Sequence, residues 1–236
     1  MRQLQPSGEG VDLFAAYAQS RPGVRVNFVA AVDGAATLGG RSEGLSSPAD
    51  KLVFRVLRAM ADVVLVGAGT ARIERYGPVR LPAECREWRL AHGMPPVPPL
   101  AVVSRSLALD PDSPMFTEAE VRPLILTGTD APAEPRQTLA AMADIITGDS
   151  AAAWLARLAE RGLTRVLCEG GPRLFGSLLA EDLVDELCLT LSPMLTRQDS
   201  PGIVGDHGDQ EPLRLDLAHV LEEDGLLFLR YIVRRG

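Results

Sequence analysis

Short, continuous apolar runs recur along the chain and alternate with segments of helical spacing. The run at 24–32, rich in β-branched residues, and the apolar runs at 62–67, 99–104, 122–128, 143–148, 164–171 and 184–195 predict strands. Helices are predicted over 11–23, stopped by Pro22-Gly23, and from Ser47 through the KLVFRVLRAMA segment. Ser47 has the chemistry of an N-cap, Pro48 suits the first helical position, and Asp50 sits three residues after the cap. Two more helices are predicted over 150–162, with Ser150 as cap and Gly162 as stop, and over 172–182, opening on a proline. Asp224-Gly225 between two apolar runs predicts a hairpin. The segments at 67–80, 81–98 and 197–212 read as loops. Strands without polar alternation are buried on both faces, so a mostly parallel sheet covered by helices follows, with the C-terminal hairpin as antiparallel edge strands. No linker or repeat interrupts the pattern, and residues 1–236 are expected to form a single α/β domain.

The 236 residues are 46% hydrophobic and 23% charged, a globular composition. A chain of this length buries about 70–75% of its unfolded surface and needs neither disulfide nor metal to hold a core. Lys plus Arg is 24 against 31 for Asp plus Glu, a net charge of −7. Such a surface repels phosphate backbones, so no nucleic-acid partner is expected. Cys85, Cys168 and Cys188 form no C-x-x-C pair, which fits a reducing cytoplasm. No apolar run approaches the roughly 18 residues of a membrane span, and the N-terminus lacks a signal-peptide core. A cytoplasmic enzyme without a membrane partner is the expectation.

Three strand ends carry glycines where a ligand would sit in an open α/β sheet: AAVDGAATLGGRS, VLVGAGTAR and VLCEGGPRLFGS. The second is not a full G-x-G-x-x-G, because Arg72 holds the third glycine position. The third leads into a helix N-terminus, whose free N–H groups attract phosphate. Each alone reads as a tight strand–helix turn; together they point to a dinucleotide or phosphorylated ligand. Asp33 and Glu169 stand at two of these ends, placed to hydrogen-bond a ribose or ligand amine, or else to cap their loops. Arg58 and Arg80 could fork onto a phosphate, or be solvated surface charges. Asp206, His207 and Asp209 have a spacing that could hold a metal, but a solvated loop is the reading taken, and no metal is predicted. Cys168 reads as core packing, and no G-x-S-x-G elbow is present.

The segments AAVDG (30–34), GRSEGLSS (40–47), LRAMADVVLVGAGTAR (57–72), EGGPRLFGSLL (169–179) and LVDELCLTLSP (183–193) together resemble the riboflavin-biosynthesis pyrimidine reductases. These form the reductase half of the bifunctional riboflavin-specific deaminase/reductase. The resemblance implies a dihydrofolate-reductase-like fold and a homodimer. It also implies NADPH as hydride donor, reducing the ribosyl group of a phosphoribosylamino-pyrimidine to ribityl. It puts Val29, Gly44, Gly67, Gly69, Thr70, Glu74 and Gly170, Gly171, Pro172, Arg173, Leu174, Phe175, Gly176 and Ser177 on cofactor positions. Ser42, Arg58, Arg80 and Glu169 fall on substrate positions, and Asp33 and Glu169 are the catalytic candidates. The chain departs from the family pattern at Asn27, Ala31, Gly44 and Glu74-Arg75-Tyr76. The deaminase zinc signature does not occur in it. A pterin or folate reductase sharing the fold, and an NADPH-binding regulatory protein without turnover, stand as alternatives.

Overall fold

The computed structural model describes residues 1–5, 7–205 and 211–234. The Asp206, His207 and Asp209 positions therefore lie outside the described residues. Among the described ones, no group of three or more His, Cys, Asp or Glu is placed to hold a metal.

In chain order the strands are β1 Arg2–Gln5, β2 Ser7–Glu9, β3 Gly23–Ala31, β4 Val63–Gly67, β5 Leu100–Val103, β6 Leu124–Thr127, β7 Asp144–Thr147, β8 Arg165–Cys168, β9 Val184–Ser192, β10 Leu215–Glu223 and β11 Leu226–Val233. The helices are α1 Leu13–Ala16, α2 Pro48–Met60, α3 Ala68–Ile73, α4 Ala83–Ala91, α5 Pro114–Thr117, α6 Ala133–Ala140, α7 Ala151–Ala159 and α8 Pro172–Ala180, with a 3₁₀ turn at Glu43–Leu45. The described strands form one sheet in the order β2-β1-β10-β11-β9-β3-β8-β4-β5-β6-β7. From β9 to β7 all neighbours are parallel. The rest pair antiparallel.

Helices cover both faces, so both faces of the parallel strands are apolar. On β4, Val64 and Val66 pack in one layer with Val53 and Leu57 of α2. Val63 and Leu65 point the other way, into the layer holding Trp154 of α7 and Leu174, Phe175 and Leu178 of α8. The caps are as expected: Ser47 Oγ accepts from Asp50 N at 3.1 Å, and Ser150 Oγ from Ala153 N at 3.1 Å. Asp224 and Gly225 have φ of 53° and 81°, the left-handed pair that a two-residue hairpin turn needs.

Several expectations are corrected. The C-terminal hairpin is not at an edge, because β1 pairs with β10 outside it. The first helix spans only Leu13–Ala16, and residues 81–98 contain α4. The prolines there flank the helix rather than fill it: Pro82 is its N-cap, and the next lies beyond His92-Gly93. Residues 68–73 form α3 directly after β4, and α5 and α6 were not legible either.

Helix α4 has one further task. Arg89 is 1% exposed; its Nη1 donates to the carbonyls of Ala59 and Ala61 at 2.9 and 2.5 Å, and its Nε to Pro95 O at 2.6 Å. It thus satisfies carbonyls at the C-terminal end of α2. Burial pulls its guanidinium down to about 10, against the opposing charge of Asp62.

Candidate active site

The carboxyl ends of β3, β8 and β4 lie side by side, and a cleft of about 720 Å³ opens there. That size suits a small-molecule ligand. One wall is α2, whose Asp50, Phe54 and Arg58 are four residues apart and so share a helix face. Thr70, Glu74 and Tyr76 come from α3 and the turn after it. Glu169, Gly171 and Pro172 come from the β8–α8 turn, Phe28 and Val29 from β3, and Ser42 from the first glycine loop.

Arg58 and Glu169 meet in a two-pronged ion pair. Arg58 Nε donates to Glu169 Oε1 at 2.6 Å and Nη2 to Oε2 at 2.7 Å. Tyr76 Oη donates to the same Oε2 at 3.0 Å. The side chains are 14% exposed for Arg58 and 1% for Glu169. Burial opposes the charge on Arg58, but Glu169 outweighs it and lifts the guanidinium pKa. Burial, with Glu169 beside it, holds Tyr76 protonated well above its usual range. The guanidinium also stands 4.2 Å from the centre of the Phe54 ring. Both oxygens of Glu169 are thus occupied by donors, and its first task is to hold Arg58.

The glycine turn is built for close approach. Gly170 has φ of +102°, with Phe28 against it, and its carbonyl accepts from Gly67 N at 2.8 Å. A β-carbon on Gly171 would lie 2.2 Å from Thr70 Oγ1. Gly171 is the N-cap of α8 and Pro172 its first residue, with no side-chain cap on the helix start.

A model of the RibD C-terminal domain matches residues 22–225. The chain belongs to this family. A 2,5-diamino-6-ribosylamino-4(3H)-pyrimidinone 5′-phosphate reductase of Archaeoglobus fulgidus is 31% identical over 189 residues, covering 78% of this chain and 86% of that protein. Its namesake from Methanothermobacter thermautotrophicus is 30% identical over 229 residues, covering 91% and 99%. The crystal structure of a pyrimidine reductase-like protein from Corynebacterium diphtheriae superposes with a TM-score of 0.87 at 29% identity, covering 96% of this chain and 100% of that one. The fold is the dihydrofolate-reductase-like one that the sequence resemblance implies.

In this RibD C-terminal domain the expected site residues separate. Val29, Ser42, Arg58, Thr70, Glu74, Glu169, Gly171 and Pro172 line the cleft. Ser42 N donates to Glu74 Oε1 at 2.8 Å, tying the first loop to α3. The others lie off its wall. Arg80 is 65% exposed and paired with Glu118. Asp33 is exposed, and its Oδ2 accepts from Thr196 N and Oγ1 at 2.6 and 2.9 Å, so it braces the loop after β9. Desolvation would raise its pKa, but the bonds from Thr196, Ala35 and Arg197 lower it. Gly44 packs toward Leu38, Gly69 is exposed, and Gly67 backs onto Gly171 N. On α8, Leu174 and Phe175 are core, Gly176 faces a second cleft of about 340 Å³, and Ser177 Oγ donates to Arg173 O. Arg173 is exposed. Cys168 is buried, and its thiol is pushed up to about 12, in line with core packing.

Asp50, Lys51, Phe54 and Tyr76 line the cleft but were not singled out. The four-residue spacing of Asp50, Phe54 and Arg58 was legible.

Proposed function

We propose that the chain reduces the ribosyl group of a 5-amino-6-(5-phosphoribosylamino)pyrimidine to a ribityl group in riboflavin biosynthesis, with NADPH as donor. One observation carries the reading: a single cleft joins the glycine turn at the start of α8 to the buried Arg58–Glu169 pair. The activity for which the Archaeoglobus and Methanothermobacter relatives are named supports the substrate class.

The residues fit a dinucleotide. Helix α8 starts without a side-chain cap, and a β-carbon at Gly171 would fill the space beside Thr70. Such a cradle suits cofactor phosphate, which backbone N–H groups and the helix dipole favour. Bound there, NADPH would supply the hydride that reduces C1′ of the ring-opened ribosylamine, and solvent water would supply the proton for the imine nitrogen. The chain's work is to hold the two reactants together and exclude water. Glu169 and Tyr76 fix the Arg58 guanidinium against the ligand space. Lys51 and Arg75, exposed cations on the cleft rim with no ion pair among the described residues, replace Arg80 as the groups for the substrate phosphate. A cytoplasmic homodimer completes the reading, with the exposed Leu213, Leu215 and Leu217 as the surface for the second copy.

Mixing the protein with NADPH and the phosphoribosylamino-pyrimidine and following the nicotinamide absorbance tests this. Oxidation that depends on the pyrimidine is expected. NADPH binding without oxidation would leave a regulatory protein instead.

A further inference from the structure

Residues 194–205, after β9, join two parts of the cleft. On one side they are bonded to the loop after β3. Val32 N donates to Met194 O at 3.1 Å and Ala36 N to Pro201 O at 2.9 Å. Thr196 N and Oγ1 donate to Asp33 Oδ2 at 2.6 and 2.9 Å, and the hydroxyls of Thr37 and Ser200 are 2.8 Å apart. On the other side Gly205 N donates to Pro172 O, in the first turn of α8, at 2.9 Å. Pro201, between the two anchors, lines the cleft together with Gly171 and Pro172.

Gly205 makes the second anchor possible. A β-carbon there would lie 3.0 Å from Arg173 N and 3.1 Å from Arg173 Cα and Pro172 C. These are backbone atoms of a helix start, which cannot swing aside as a flexible side chain can. Gly205 does not have a positive φ, so no left-handed turn calls for glycine at this position. The close approach to α8 calls for it.

We propose that residues 194–205 are a strap that holds the cofactor in its cradle, with Asp33 and Gly205 as positioning residues at its two anchors. This rests on the reductase reading above. The turn that Gly205 grips is the one whose open space and uncapped N–H groups suit cofactor phosphate. Asp33 lies off the cleft wall, so its effect on the ligand passes through Thr196 and the strap. With either anchor lost, Pro201 no longer stays fixed beside Gly171, and the first turn of α8 loses its brace. Bound cofactor then leaves faster, while its approach changes little. No hydrogen bond among the described residues ties the strap to Arg58, Phe54 or Glu169, so the pyrimidine side is insulated from it.

Stopped-flow release of NADPH, followed by nicotinamide fluorescence, tests this on Gly205→Ala, Asp33→Ala and the double variant. Each single change is expected to speed release about 3- to 10-fold, the worth of one hydrogen bond, with association near the wild-type rate. The double variant should release NADPH about as fast as the faster single one, because freeing either anchor frees the strap. Affinity of the NADP-loaded protein for a ribitylamino-pyrimidine phosphate should stay within about twofold of wild type. Unchanged release from folded variants, effects that multiply in the double variant, or an equal loss of pyrimidine affinity overturns the proposal. Should Gly205→Ala not fold, Asp33→Ala decides alone, since Asp33 is exposed. Faster release with pyrimidine affinity kept then supports the strap, and unchanged release overturns it. If the wild type takes up no NADPH, the function proposed above fails and the strap with it. If the wild type oxidises NADPH with the pyrimidine but the variants release it at the wild-type rate, only the strap fails.

Discussion

Gly171 and Thr70 approach so closely that a β-carbon on the glycine would lie 2.2 Å from the threonine Oγ1. Gly171→Ala is therefore an overpacking change, expected to cost about 1–3 kcal/mol and to weaken NADPH binding. In a Thr70→Ala background the stability cost should shrink, because the colliding atom is gone. Urea unfolding of the four members of the cycle measures the coupling. Additive costs would remove the contact as the cause.

Glu169→Gln keeps the shape of the side chain and takes away the charge. It leaves Arg58 charged and largely buried, so a loss of about 3–5 kcal/mol is expected. Tyr76→Phe removes one donor from Glu169 and should cost about 1 kcal/mol. Both losses are read from denaturant midpoints. In the Tyr76→Phe protein, KM for the pyrimidine should rise more than the Kd for NADPH.

Arg80→Ala provides the contrast. An exposed pair with Glu118 contributes about 0–1 kcal/mol. Stability and KM are both expected to stay near wild type, whereas Arg58→Ala lowers both stability and turnover. A strong kinetic defect in Arg80→Ala would bring that residue back to the substrate.

His219 gives a pH signature of the sheet rather than of the cleft. It is 4% exposed, its ring meets Tyr17 edge-on, and Nε2 has no partner among the described residues. Burial, with Arg230 and Arg25 nearby, lowers its pKa from 6.5 to about 4. Below pH 6.5 the unfolded chain takes up a proton that the folded one refuses until about pH 4. Stability therefore falls as pH drops through that window, by up to ~3 kcal/mol from this group. Urea unfolding at pH 7 and 4.5 should show a smaller difference for His219→Gln than for wild type.

The sequence was legible where local chemistry and burial agree. Ser47-Pro48 opens α2, Asp224-Gly225 turns the hairpin, and the apolar runs are the parallel strands. It was opaque where partners are distant. Arg2–Gln5 becomes a strand because β10 lies beside it, and four residues carry no periodicity of their own. Arg58, Arg80, Asp33 and Glu169 looked alike as charged groups beside glycine loops or their helices. Only the fold pairs Arg58 with Glu169 across 111 positions, turns Arg80 to Glu118 and spends Asp33 on Thr196. Asp50 stands at the start of α2, as its spacing from Ser47 implies, and its place on the cleft wall depends on the fold, which no local pattern describes.

Arg89 and Ser47 grip the two ends of α2, and this fixes the helix about its own axis. Successive side chains on a helix turn by about 100°. A slip of one residue would swing Asp50, Phe54 and Arg58 away from the ligand together and bring Lys51, Arg55 and Ala59 round in their place. The two clamps act as the phase lock of the site, so the selectivity of the cleft is set in part by carbonyl oxygens at the far end of the helix.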